Sequence, residues 1–199
     1  MKKIFLLIFI FLHFHSVSLA ENLKFKKIVS LDKPWGSSFI SNEEIIITEK
    51  SGKIKIVNIL TGNVTEIEHN LNFLEYGQGG LLDILHKDKF IYISYTENRE
   101  NWKTSTSIAK AKLDKKKLLF KNIFQANPPI DSGYHFGSRL AIKDNYLFAS
   151  AGERGKGMIA QDVSKHPGSI IRIHLDGSIP KDNPRFEGKS NWLPELYQI

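Results

Sequence analysis

The sequence contains no cysteine in its 199 residues. Disulfides are thereby excluded, so even in an oxidising compartment stability must come from a packed core or from bound ligands. Seven histidines are present, but no two stand at metal-ligand spacing, and without cysteine a zinc site has no support. A Walker-type phosphate loop is missing, and so is a dinucleotide-binding fingerprint. Gly133-Tyr134-His135-Phe136-Gly137 has neither the required spacing nor a following helix. After Ala20 no stretch holds a helical apolar period for long.

Long hydrophobic runs are equally scarce, with one exception at the start. Met1-Lys2-Lys3 is basic, Ile4 to Leu12 is unbroken and apolar, and Ser18-Leu19-Ala20 is a small-x-small site before Glu21. This is the layout of a cleavable secretory leader over residues 1–20, and the run is too short for a membrane span. No cysteine lies near the cleavage point, so a lipid anchor there is excluded. The product is expected to be periplasmic or secreted, without a stable membrane anchor. The net charge of +7 falls by two when Lys2 and Lys3 leave. The remaining excess is lysine scattered singly or placed in turns, as at Lys115-Lys116-Lys117. A nucleic-acid surface would cluster arginine with aromatics on one face, so these charges read as a solvated surface and no nucleic-acid partner is expected.

What fills residues 21–199 is a repeat of short β-branched and aromatic runs between Gly, Asn and Asp punctuation. Ser38-Phe39-Ile40 leads through Asn42-Glu43 into Ile45-Ile46-Ile47, then across Ser51-Gly52 into Ile54 to Val57. Leu81 to Leu85 leads through Lys87-Asp88 into Phe90 to Ile93, followed after a loop by Ser107 to Ala111. Arg139 to Ile142 leads through Asp144-Asn145 into Tyr146 to Ala149, followed after a longer loop by Ile170 to Ile173. Outer fourth strands are predicted at Val64 to Ile67 and at Leu118-Leu119-Phe120. Four-stranded antiparallel units at a period of tens of residues predict an all-β fold, a β-propeller with roughly three blades in this chain. A sandwich would space its strands more evenly. Propellers close with four or more blades, and Glu195 to Ile199 reads as mid-strand, so the natural protein is expected to continue beyond Ile199.

The repeat carries a positional argument. Lys33, Gln78 and His135 each lie seven residues before Ile40, Leu85 and Ile142, in the loops that lead into the first strand of each blade. Such loops ring one end of a propeller channel, where polar groups converge on a ligand and nearby glycines let backbone approach it. His135 has the side chain suited to take a proton near neutral pH. On the residues alone, a general base and a hydrogen-bonded loop histidine both remain open for it. His69, His86, His166 and His174 sit in turns, loops or strand ends and are weaker candidates.

Several segments in order resemble one family. They are Pro34-Trp35-Gly36, Thr48 to Gly52, Tyr76-Gly77-Gln78-Gly79-Gly80-Leu81-Leu82-Asp83, His135-Phe136-Gly137-Ser138-Arg139-Leu140, and Leu175 to Pro184. The chain from about Pro34 to Ile199 is similar to the soluble pyrroloquinoline quinone (PQQ)-dependent sugar dehydrogenases, the glucose/sorbosone dehydrogenase family, and closest to its aldose sugar dehydrogenase branch. The resemblance implies a six-bladed propeller holding PQQ and Ca²⁺. It implies oxidation of an aldose at its anomeric carbon, with electrons passed to an unnamed acceptor. It implies His135 as general base, Gln78 as a cofactor partner, and Glu153 of Gly152-Glu153-Arg154-Gly155 near the sugar, where relatives carry aspartate. Tyr134 stands where some glucose-oxidising relatives place an acid, so glucose specificity is not implied. No metal ligand is assigned in this chain, since the family's calcium contacts and its Arg-Asn motif fall later. A non-catalytic ligand-binding propeller is the alternative; a calcium-dependent lactone hydrolase would need a carboxylate arrangement that the sequence lacks.

The leader makes a direct prediction. N-terminal sequencing of the exported protein should return Glu21, and recovery of Met1 on exported material would refute cleavage.

Overall fold

A computed structural model describes residues 24–199, so the predicted leader lies outside the described residues. The first sheet contains β1 (Pro34–Phe39), β2 (Glu44–Glu49), β3 (Lys53–Asn58) and β4 (Val64–His69) in that order. The second contains β5 (Leu81–Lys87), β6 (Phe90–Asn98) and β7 (Thr104–Lys112). A short strand, β8 (Lys117–Leu118), then leaves it before β9 (Lys121–Gln125) closes its edge. The third contains β10 (Gly137–Lys143), β11 (Tyr146–Ala151), β12 (Ile170–His174) and β13 (Leu196–Gln198). Neighbours within each four-stranded unit are antiparallel, and the three units are blades of a β-propeller. Among the described residues no helix is long and apolar enough to cross a membrane.

Local chemistry explains the strands. In β2 the Ile-Ile-Ile-Thr run is β-branched, which suits a pleated surface packed on both faces. In β6 every residue from Ile91 to Glu97 is buried, because a sheet lies against each side. Tight turns after β5 and β10 are made by Asp88 (φ 56°) and Asp144 (φ 54°), residues whose short polar side chains tolerate left-handed backbone. Two apolar cores result. Ile46, Ile54 and Ile67 meet Ile84, Ile91 and Ile93 between the first and second blades. Tyr92, Ile108 and Phe124 meet Leu140, Leu147 and Ile171 between the second and third. Full burial of each such side chain is worth about 1.5–3 kcal/mol, so these contacts dominate blade stacking.

One predicted strand is misplaced. The outer strand of the second blade is Lys121–Gln125, whereas Leu118 pairs in parallel with β4 of the first blade through the His69–Leu118 register. Leu118 is fully buried and Phe120 is 8% exposed, both in the first interblade core, while Leu119 is exposed. Their alternation reports which residues enter that core. It carries no information on which strand they pair with, and the true outer strand is polar enough to escape a hydrophobic reading.

A hydrogen-bonded seam stitches the blades together. Each first strand carries one residue more than its partner, between Pro34 and Ser37, Leu81 and Ile84, and Gly137 and Leu140. The N–H displaced by each bulge is taken by a hydroxyl of the second strand. Gly36 N–H donates to Thr48 Oγ1 (3.0 Å), Asp83 N–H to Ser94 Oγ (2.9 Å), and Arg139 N–H to Ser150 Oγ (3.1 Å). The hydroxyl then donates to the next blade: Thr48 to the Leu82 carbonyl at 2.5 Å and Ser94 to the Ser138 carbonyl at 2.6 Å. Asp83, buried in the second blade, adds a second tie by accepting from Leu140 N–H (2.8 Å) and Arg139 Nη1 (3.1 Å) of the third.

Ser94→Ala should lower unfolding free energy by about 1–3 kcal/mol, because it strands a buried N–H and a buried carbonyl at once. Ser150→Ala, which loses one bond at a half-buried hydroxyl, should shift it by about 1 kcal/mol or less. Denaturant titration of both variants tests the ranking, and equal losses would mean that the bond between blades contributes nothing.

Candidate active site

The loops leading into β1, β5 and β10 lie side by side because those first strands are neighbours across the blades. Gln78 and His135 meet directly: His135 N–H donates to Gln78 Oε1 at 2.8 Å, and Gln78 N–H donates to the Gly133 carbonyl at 2.7 Å. The loops can approach this closely because both sides carry glycine. A Cβ on Gly77 (φ 58°) would run into the Gly133 backbone. Lys33 reaches the same loop less directly. Its Nζ donates to Glu75 Oε1 at 3.0 Å, and Lys50 Nζ donates to the Gly77 carbonyl at 2.5 Å.

The predicted equivalence of Lys33, Gln78 and His135 holds for the loops but not for the positions. Register places Leu81 with Gly137 and Pro34, and the carbonyls of Lys33, Gly80 and Phe136 accept the N–H groups of Lys50, Thr96 and Gly152, which hold matching positions. His135 therefore corresponds to Gly79, and Gln78 to Tyr134. The offset between Gln78 and His135 arises because the turn of the second blade is Asp88-Lys89, one residue later than the Lys87-Asp88 that composition predicts. A one-residue shift in a strand exchanges its faces, so such an error matters.

His135 itself has left-handed backbone, φ 48°, followed by Gly137 (66°) and Ser138 (75°). Its Nδ1 makes a short hydrogen bond to Glu153 Oε1, which also accepts Gly155 N–H at 3.0 Å. The His135 bond, chiefly, holds the Glu153 carboxyl below its ordinary value, so it is ionised at neutral pH and can only accept. Nδ1 must then carry the ring proton, which leaves the Nε2 lone pair of a half-exposed imidazole free to act as a base. The resemblance places Glu153 near the sugar; in the structure its carboxylate bonds to His135 Nδ1. Gly152 is required at its position because a Cβ there would collide with the His135 carbonyl oxygen.

Two participants carried no signal in the sequence. Lys50 braces Gly77, and Arg154 is 2% exposed beneath the His135 loop. Nothing in Gly-Glu-Arg-Gly marks an arginine as buried, since that residue type is almost always exposed. The four other histidines among the described residues make contacts within the fold. His69 Nε2 contacts the Gly52 carbonyl at 2.7 Å, His86 Nδ1 the Phe39 carbonyl at 3.3 Å, and His174 lies against Tyr146. His166, 4% exposed, accepts Asn127 N–H at Nδ1 and packs edge-on against Phe124. Among the described residues no group of three or more His, Asp or Glu side chains is arranged to hold a metal ion.

Three blades of a propeller thus carry a histidine–carboxylate pair in the loops at one end of the third blade. The glucose / sorbosone dehydrogenase family model matches residues 31–199, and the chain belongs to that family. It is 32% identical over 164 residues to aldose sugar dehydrogenase YliI of Escherichia coli, covering 77% of this chain and 44% of that protein. It is 29% identical over 206 residues to quinoprotein glucose dehydrogenase B of Acinetobacter calcoaceticus, covering 85% and 43%. The solved PQQ-bound aldose sugar dehydrogenase of Streptomyces coelicolor superposes with a TM-score of 0.71 at 24% identity, covering 84% of this chain and 50% of that one. The chain thus spans about half the length of the relatives it matches.

The His135–Glu153 pair gives a titration prediction. A carboxyl with a depressed folded pKa contributes stability that is present above its unfolded pKa and is lost as pH falls through the folded one. The Glu153 side-chain carboxyl, followed by carbon NMR, should titrate below 4.5 and return towards that value in His135→Ala. A midpoint unchanged by the substitution would break the assignment.

Proposed function

We propose that this chain forms part of an exported quinoprotein that oxidises aldoses at the anomeric carbon, with His135 as the base. The observation that carries the reading is the bond from His135 Nδ1 to Glu153, which fixes the tautomer and turns Nε2 outward. The donor set also suits a flat polycarboxylate such as PQQ. Lys33 and Lys50 stand beside the glycine-rich Tyr76–Gly80 loop, and Gln78 commits Oε1 to His135, leaving its amide N–H₂ to donate. When bound, PQQ supplies the two-electron acceptor for the hydride that leaves the anomeric carbon.

The chain's own residues handle the proton. His135 Nε2 accepts it from the anomeric hydroxyl as the C–H bond breaks, so the aldose becomes its lactone. Glu153 stabilises the imidazolium that forms, and its part in sugar binding is indirect, through His135. Proton removal by a positioned base contributes about 10²–10⁴ in rate. Calcium, which the family resemblance implies, has no ligand cluster among the described residues, and no step is assigned to it.

In the protein reconstituted with PQQ and Ca²⁺ in excess, His135→Ala should still bind PQQ but reduce sugar-dependent dye reduction by about 10² or more. Gln78→Ala should weaken PQQ binding by about 1–3 kcal/mol and also slow turnover, since it releases His135 N–H. Wild-type turnover by His135→Ala would overturn His135 as the base, and absence of sugar-dependent turnover in the reconstituted wild type would favour a ligand-binding propeller.

A further inference from the structure

We infer that Arg154 is a positioning residue that, together with Gln78, locks the peptide plane between Tyr134 and His135 and so aims the His135 imidazole. The inference rests on the reading of His135 as the base. Its foundation is the geometry of one amide. The N–H edge of that amide is held by Gln78 Oε1 at 2.8 Å, and its carbonyl edge accepts Arg154 Nε at 3.0 Å. The peptide is therefore gripped on both sides by side chains from different blades. The next carbonyl, that of His135, accepts the backbone N–H of Arg154 at 3.3 Å. Both amides flanking the histidine are thus fixed, which is what a non-glycine residue at φ 48° needs in order to stay there.

The remaining contacts of Arg154 explain its burial. Nη1 donates to the Thr104 carbonyl (3.1 Å), Nη2 donates to Thr104 Oγ1 (2.8 Å) and to the Ser132 carbonyl, and the guanidinium lies 3.6 Å over the Phe136 ring. Among the described residues its hydrogen-bond acceptors are all neutral, and the nearby Glu153 charge only partly offsets the desolvation. Burial pushes the guanidinium pKa down to about 10, which still leaves it charged at neutral pH. A buried cation with neutral partners is a poor device for stability alone, since a well-packed apolar side chain would avoid the desolvation penalty. What an apolar residue could not do is satisfy the inward carbonyls of Ser132 and Tyr134, which have no strand to pair with. The loop shape that presents His135 therefore requires a forked donor at this point, and lysine, with one compact head group, cannot reach the same set.

The test reads His135 without relying on turnover. In protein labelled with ¹⁵N-histidine, and with no PQQ present, the His135 Nδ1–H bonded to Glu153 should give a distinct resonance in wild type. Arg154→Ala should lose that resonance, and Arg154→Lys should broaden or shift it. Added guanidinium ion, entering the space left by the deletion, should restore it in Arg154→Ala. With PQQ loaded, kcat should fall about tenfold or more in Arg154→Ala while KM for sugar changes little, the pattern of a misaligned group. Retention of the resonance with only a lowered melting temperature would overturn the inference and leave Arg154 a stabilising residue. If Arg154→Ala fails to fold, Arg154→Lys decides, and an unshifted resonance in it refutes the role. The resonance is seen without cofactor, so it can succeed or fail independently of whether His135→Ala abolishes turnover.

Discussion

The bulge at the start of each blade's first strand is the constraint on which the arrangement depends. An extra residue there turns one N–H out of the ladder, and Thr48, Ser94 and Ser150 each capture it with a hydroxyl. In the first two blades the same hydroxyl reaches the neighbouring blade's bulge, so the defect of one sheet becomes the fastener of the next. The apolar cores supply most of the free energy of stacking but are tolerant of sliding. These directional bonds add a register, which brings the Tyr76–Gly80 loop against Gly133 and places Gln78 within reach of His135.

Chemistry then follows from restraint. A histidine on a loop that samples many conformations is a weak base catalyst, because alignment is lost even when proton affinity is right. Here the backbone of His135 is held from two blades and its ring from a third direction by Glu153. The Glu153 carboxylate reaches His135 Nδ1 and the Gly155 N–H at once. Lys33 and Lys50 flank the Tyr76–Gly80 loop, both within 4 Å of Glu75, and Lys50 donates to the Gly77 carbonyl.

The sequence by itself determined the fold class and marked His135 and Gln78 as candidate site residues. Alternating β-branched runs broken by Asp, Asn and Gly specify strands and turns through local sterics, and three matched runs specify blades. His135 and Gln78 were legible as candidates because they fall in glycine-bearing loops before the first strands, whereas Glu153 was marked only by the family resemblance. Only the tertiary structure decided how they relate. Whether Leu118 joins the second blade or the first, and whether Gln78 or Gly79 is the counterpart of His135, turns on register, and one residue of slip is invisible in composition. The burial of Arg154 and the placing of Glu153 behind His135 depend on contacts between segments 18 to 50 residues apart. Such contacts arise from packing whole sheets against each other, a long-range consequence that no local pattern encodes.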